Sequence, residues 1–169
     1  MSDVKIITDR LELFPVTMQE ARSLHEIWIQ PEVRKYLWDD LLIPFSQTEE
    51  IIDQSIQAFD NNQYGLWLAK LKDKQTSIGF CGYWPFFNQI QLIYGLEPNY
   101  WGKGLATEMT KATIDYGFDR YQFTTIYAST DPPNLASIAL MKRLGMEYYK
   151  REIIEGKETI FYQISSQNR

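Results

Sequence analysis

The segment Leu96-Glu97-Pro98-Asn99-Tyr100-Trp101-Gly102-Lys103-Gly104-Leu105-Ala106-Thr107-Glu108 holds residue types that suit a phosphate. Two glycines around Lys103 allow a tight turn and a close backbone approach. An apolar stripe at Leu105, Met109, Ala112 and Tyr116 starts directly after them and predicts a helix from about Gly104 to Arg120. The N-terminus of such a helix exposes backbone N–H groups and carries partial positive charge, to which Lys103 adds a full one. Two phosphate fingerprints fit poorly. A P-loop needs Ser or Thr directly after Gly-Lys, where this chain has Gly104. A dinucleotide fingerprint needs Gly or Ala three positions after Gly104, where Thr107 stands. From spacing alone, a plain β-to-α turn stays open beside the phosphate reading.

Other reactive residue types stand further along the chain. Asp131-Pro132-Pro133-Asn134-Leu135-Ala136-Ser137 reads as a loop that ends in a helix capped by Asn134, with Ser137 in its first turn. His25 falls within the first helical pattern, where packing or surface exposure is the expected role. Cys81 lies mid-strand in Gly79-Phe80-Cys81-Gly82-Tyr83 and reads as a buried small hydrophobe, since no His neighbours it. Trp38-Asp39-Asp40 offers acids to a cationic amine, or simply solvated loop charge, and Trp84-Pro85-Phe86-Phe87 suits a groove wall or a hydrophobic hairpin tip. No His, Cys, Asp and Glu have metal-ligand spacing, so no metal is expected.

These groups need a scaffold. Positions 6–14 read as a first strand, and Thr17 with Glu20 as a capping box for a helix from Met18 to about Ile29, ended near Pro31. A second helical pattern follows Ser46 through Ile51, Ile52, Ser55, Ile56 and Phe59, and Asp60-Asn61-Asn62 breaks it. Strands are predicted over 64–70, 77–84 and 89–96, joined by hairpin turns, then over 125–129, 147–154 and 159–164. A helix from Asn134 to about Leu144, stopped by Gly145, lies between the strands at 125–129 and 147–154. An antiparallel front half passing into strand–helix–strand–helix predicts a mixed α/β domain with helices on both sheet faces.

With 169 residues, the chain suits one domain spanning 1–169, which buries roughly 70% of its unfolded surface without disulfides. One cysteine, no signal peptide before Met1-Ser2-Asp3, and no apolar run near the ~18 residues of a membrane helix give a cytoplasmic expectation with no membrane partner. A net charge of −5 disfavours nucleic acid and suits either solubility or the steering of a cationic substrate.

Trp101-Gly102-Lys103-Gly104-Leu105-Ala106 resembles the acetyl-CoA motif of the GNAT acetyltransferases, with Trp101 in place of the usual Gln or Arg. That departure resembles the branch that acetylates ribosomal-protein N-termini. Thr8-Asp9-Arg10-Leu11, Pro31-Glu32-Val33, Ile78-Gly79-Phe80, Asn134, Ser137 and Lys142-Arg143-Leu144-Gly145-Met146 fall in the same order. The resemblance implies a central mixed, mostly antiparallel sheet of about seven strands, splayed where the third hairpin strand leaves the Thr125 strand. It also implies that acetyl-CoA is the co-substrate. Leu96 would pair with the pantetheine arm. Trp101, Gly102, Lys103, Gly104, Leu105, Ala106 and Thr107 would hold the pyrophosphate, with Asn134 and Lys142 as further coenzyme contacts.

By the same resemblance, Ser137 would protonate the departing thiolate, Glu152 loosely matches a proposed base, and the backbone from Tyr94 to Leu96 would face the oxyanion. Gln91 stands where a Glu is common, and an amide cannot take a proton. The implied reaction is acetyl transfer from acetyl-CoA to a primary amine, on a small molecule or a protein N-terminus, by a monomer or homodimer. The alternative is a catalytically silent acyl-CoA-binding or sensor module of the same fold.

Overall fold

The computed structural model describes residues 4–61 and 63–169. Met1-Ser2-Asp3 and Asn62, the last residue of the expected helix stop, lie outside them. One sheet runs in the order β1 (Ile6–Ile7), β2 (Leu11–Pro15), β3 (Leu66–Leu71), β4 (Ser77–Phe86), β5 (Gln89–Leu96), β6 (Thr125–Thr130), β8 (Lys157–Ser165), β7 (Glu147–Ile154). Neighbours are antiparallel except β5 and β6, which run parallel. Among the described residues five α-helices complete the fold: α1 (Ala21–Trp28), α2 (Pro31–Leu37), α3 (Phe45–Asp60), α4 (Leu105–Asp119) and α5 (Leu135–Arg143).

Among the described residues the sheet has eight strands rather than about seven, because the expected first strand folds back on itself. Ile6 pairs with Leu13, and Thr8 N–H donates to the Leu11 carbonyl at 3.0 Å. The turn is held from outside: Glu108 on α4 accepts from Thr8 Oγ1 and from the Arg10 N–H, a contact across about a hundred residues that local pattern does not reveal. Thr17 and Glu20 form the expected capping box, but on a single 3-10 turn, Met18–Glu20, that leads into α1. Pro31, read as a stop, instead opens α2, where its fixed φ and missing N–H suit the first helical position.

Both sheet faces are covered. In β3 the alternation is complete: Leu66 and Leu68 face a core with Leu24, Ile27, Trp28 and Ile52 of α1 and α3, while Trp67 and Ala69 face Leu105, Met109, Ile114 and Phe118 of α4. The connection from β5 through α4 to β6 is the parallel crossover that the spacing requires. It brings the start of α4 beside the ends of β5 and β6.

Candidate active site

Strands β5 and β6 share a single bridge, Gln91 with Tyr127. Beyond it, the rest of β5 has no strand partner on the β6 side, whereas its pairing with β4 runs from Gln89 to Leu96. A cavity of about 620 Å³ opens at this parting. Its walls are Leu92 to Leu96 of β5, Ser129 and Thr130 of β6, the loop and first turn of α4, the start of α5, and Glu32, Val33, Tyr36 and Leu37 along one side of α2. The expected splay is therefore present, with a space beside it large enough for an extended ligand.

At one end stands the glycine loop. Gly102 and Gly104 take φ of +74° and +77°, values an L-residue reaches only with strain. A Cβ on Gly102 would meet nothing, so that surface is open to approach. Gly104 is the N-cap of α4 and no side chain caps the helix. The N–H groups of the first turn have no intrahelical acceptors, and Leu105, Ala106 and Thr107 line the cavity there. The arrangement is suited to an anion.

Three contacts fix this loop. The Trp101 indole N–H donates to the Leu96 carbonyl at 2.8 Å, tying the loop to the end of β5. Arg10 Nη1 donates to the Lys103 carbonyl at 2.9 Å, and Arg10 Nε donates to Glu108 Oε2 at 2.7 Å. Burial alone would raise the Glu108 pKa, but the hydrogen bonds from Thr8 and Arg10 outweigh it and hold the carboxyl below its ordinary value. Lys103 itself does not line the cavity; its ammonium sits over the Tyr100 ring at 5.4 Å.

Across the parting lies α5. Asn134 caps it, accepting from Ser137 N–H at 3.3 Å, and gives its amide to Thr130 Oγ1 at 3.0 Å. Both Asn134 and Ser137 line the cavity. Ser137 Oγ lies 2.6 Å from the hydroxyl of Tyr94, a partly buried β5 residue whose phenol is pushed up to about 12, chiefly by burial. The sequence assigns Tyr94 a backbone role only. The signal lay in its alternation with Leu92 and Leu96 on one face, where a tyrosine hydroxyl needs a partner.

Not every expected residue reaches this space. Lys142 is exposed and does not line the cavity; Arg143 does, with Nε 3.4 Å from Thr107 Oγ1. Helix geometry explains the correction, since positions 136, 140 and 143 share a face and 142 turns away. Glu152 is also corrected. It lies on β7, the outermost strand, half-exposed and paired with Lys150 at 2.7 Å, and it does not line the cavity. Among the lining residues the one carboxylate is Glu32.

Gln91 is 1% exposed, and its Oε1 has no hydrogen-bond partner. His25 packs instead, with Nδ1 2.8 Å from Thr48 Oγ1 and its ring edge-on to Phe45. Cys81 is buried, and burial pushes its thiol up to about 12. Phe86 and Phe87 form the β4–β5 hairpin tip and do not line the cavity. Asp39, in the α2–α3 loop, pairs with Lys157 Nζ, which also lies 2.8 Å from Asp131. Lys157, at the start of β8, thus links two loops. Asp39 and Asp131 each stand within two residues of a cavity wall, at Leu37 and at Thr130 and Pro133.

Comparison with known proteins agrees with this geometry. The model of the acetyltransferase (GNAT) domain family matches residues 10–147. An uncharacterized N-acetyltransferase, p20, of Bacillus licheniformis is 31% identical over 149 residues, 84% of this chain and 82% of the relative. Two solved structures share the fold. The ribosomal L7/L12 alpha-N-protein acetyltransferase RimL in complex with coenzyme A superposes with a TM-score of 0.81 at 15% identity, covering 98% of this chain and 99% of that one. The spermidine N-acetyltransferase of Vibrio cholerae in complex with CoA and spermine gives 0.79 at 17% identity, covering 95% and 98%. Among the described residues no group of His, Cys, Asp and Glu could hold a metal ion, and no helix is long and apolar enough to cross a membrane. With the match spanning most of the chain and the parted sheet opening beside the glycine loop, the chain belongs to the GNAT acetyltransferase family, whose co-substrate is acetyl-CoA.

Proposed function

We propose that this enzyme moves the acetyl group of acetyl-CoA directly to a primary amine while both are bound. The observation that carries the reading is the continuity of one cavity, from the uncapped, glycine-flanked start of α4 to the parting of β5 and β6 where Ser137 stands. The co-substrate supplies an activated thioester; the chain supplies position. The first-turn N–H groups of α4 and the open surface at Gly102 fit a diphosphate, and Arg143 beside Thr107 adds positive charge. The unpaired side of β5 near Leu96 suits the amide-bearing arm, and Asn134 borders the space where the acyl end would lie.

The acceptor must arrive as a free amine. With pKa values of ~10.4 for an alkyl amine and ~7.7–8.0 for an α-amine, both are mostly protonated near pH 7, though an α-amine keeps a neutral share of roughly a tenth or more. Glu32 is the one carboxylate lining the cavity, and water is the other candidate to take the amine's proton. Backbone N–H groups between Tyr94 and Leu96 are the candidate donors to the developing oxyanion. A net charge of −5 favours approach of cationic acceptors. One solved neighbour holds spermine and another is an alpha-N-protein acetyltransferase, which supports both a polyamine-like and a protein N-terminal acceptor.

The second reading, a silent acyl-CoA-binding module, draws support from Gln91, an amide with no capacity to accept a proton. Steady-state thiol release with a panel of free amines and N-terminal peptides, read together with the mass gain of one acetyl group, separates the two. Amine-dependent release is the expected result. CoA binding without it would leave only the silent module.

A further inference from the structure

We propose that Tyr94 positions Ser137 for the transfer, its phenolic O–H donating to Ser137 Oγ so that the serine's own proton is directed at the departing sulfur. This rests on the functional reading above and names a part of the machinery that the motifs do not contain. The bond is short, 2.6 Å, and it crosses the parting of the sheet from β5 to the first turn of α5. Both side chains line the cavity.

Donor and acceptor follow from acidity. A phenol is far more acidic than an alkyl alcohol, so the stronger donor gives and the serine oxygen receives. A serine hydroxyl carries one proton and accepts through two lone pairs. With one lone pair engaged by Tyr94, the O–H is free to point into the cavity. Without that partner, the serine hydroxyl is free to rotate toward a backbone carbonyl of its own turn, the usual local competitor.

The chemistry then balances simply. The amine lone pair forms the N–C bond, the C–S bond breaks, and its electron pair leaves on sulfur. The proton released from nitrogen passes to Glu32 or to water. Ser137 keeps its proton and donates a hydrogen bond to the thiolate. A full relay from Tyr94 through Ser137 to sulfur is disfavoured. The phenol is pushed up to about 12, whereas an alkyl thiol sits at ~8.5, so the transfer would run uphill by more than about a thousandfold. Tyr94 therefore acts by orientation.

The test compares Y94F, S137A and the double variant in amine-dependent thiol release, with CoA binding followed by calorimetry. In Y94F, kcat should fall about tenfold, the scale of one hydrogen bond beside developing charge. KM for acetyl-CoA and CoA affinity should stay within about twofold of wild type. The double variant should be no slower than S137A, because Tyr94 works only through that hydroxyl. The pH profiles of wild type and Y94F should have the same shape. S137T, which keeps a hydroxyl, should recover much of the rate in the presence of Tyr94 and little beside Y94F.

If Y94F turns over normally, if the two losses multiply, or if Y94F removes a limb of the pH profile, the proposal falls while the reaction assignment stands. If Y94F does not fold, the S137A and S137T pair decides: equal rates in the two would overturn it. A wild-type protein that binds CoA and releases no thiol with any amine overturns the functional reading and this proposal together.

Discussion

Replacing Glu108 with Gln tests how the N-terminal hairpin holds the glycine loop. The carboxylate accepts from Thr8 Oγ1 at 2.5 Å, Arg10 N–H at 2.8 Å and Arg10 Nε at 2.7 Å. Glutamine keeps one accepting oxygen, which can still serve Thr8 and the Arg10 N–H. Its NH₂ then faces the Arg10 guanidinium, donor against donor. The lost ion pair is discounted, because the Arg10 side chain is 48% exposed and surface pairs contribute at most about 1 kcal/mol. The two remaining bonds lose their charge assistance, roughly another 0.5 kcal/mol together. A total near 1.5 kcal/mol corresponds to a Tm lower by about 3–6 °C for a chain of this length.

The sign with pH follows from the depressed carboxyl. Its contribution is present above the unfolded value of ~4.3 and is lost as pH falls through the folded value, which lies lower. Melts of wild type and E108Q near neutrality should therefore differ, and the gap should close on acidification below that window. Arg10, no longer paired, also holds the Lys103 carbonyl less firmly, so Kd for CoA should rise about three- to tenfold, or ~0.7–1.4 kcal/mol. A Tm gap independent of pH, or unchanged CoA affinity, would refute this account of the loop's support.

Further outcomes follow from the same geometry. Gly104→Ala places an L-residue at φ +77° and should cost ~1–2 kcal/mol, visible in thermal melts, together with weaker CoA binding by calorimetry. Arg143→Met should weaken CoA several-fold while Lys142→Met leaves it unchanged, since only Arg143 faces the cavity. Cys81, buried with its thiol pushed up to about 12, should resist a thiol-reactive dye in the native state and react on unfolding. Glu152→Gln should keep kcat within about twofold of wild type, because that carboxylate is bound to Lys150 on the outermost strand.

The elements legible in the chain were those with local causes. Apolar positions at 105, 109 and 116 announce α4, the glycines before it announce the turn, and Asn134 announces the α5 cap. What escaped depends on distant partners. The strand break at Thr8 to Arg10 is dictated by Glu108, and the Tyr94 hydroxyl acquires meaning only when α5 brings Ser137 to it. Lys142 and Arg143 adjoin in sequence, yet a rotation of about 100° per residue sends them to different surroundings. Glu152 does not reach the cavity for a reason of sheet order, since β8 lies between its strand and β6. α2 is not legible locally because a proline after a helix suits a terminator as well as the initiator that Pro31 is.

A ladder with one rung leaves those amides within 93–96 and 129–130 that point across the gap, every second one along each strand, without cross-strand mates. In solution these amides should exchange with deuterium quickly while their β4- and β8-facing neighbours stay slow, a contrast of protection within single strands. A ligand arm laid into that gap would act as a borrowed strand. Its arrival should be recorded as slowed exchange on both margins at once, an address for the bound molecule that needs no crystal.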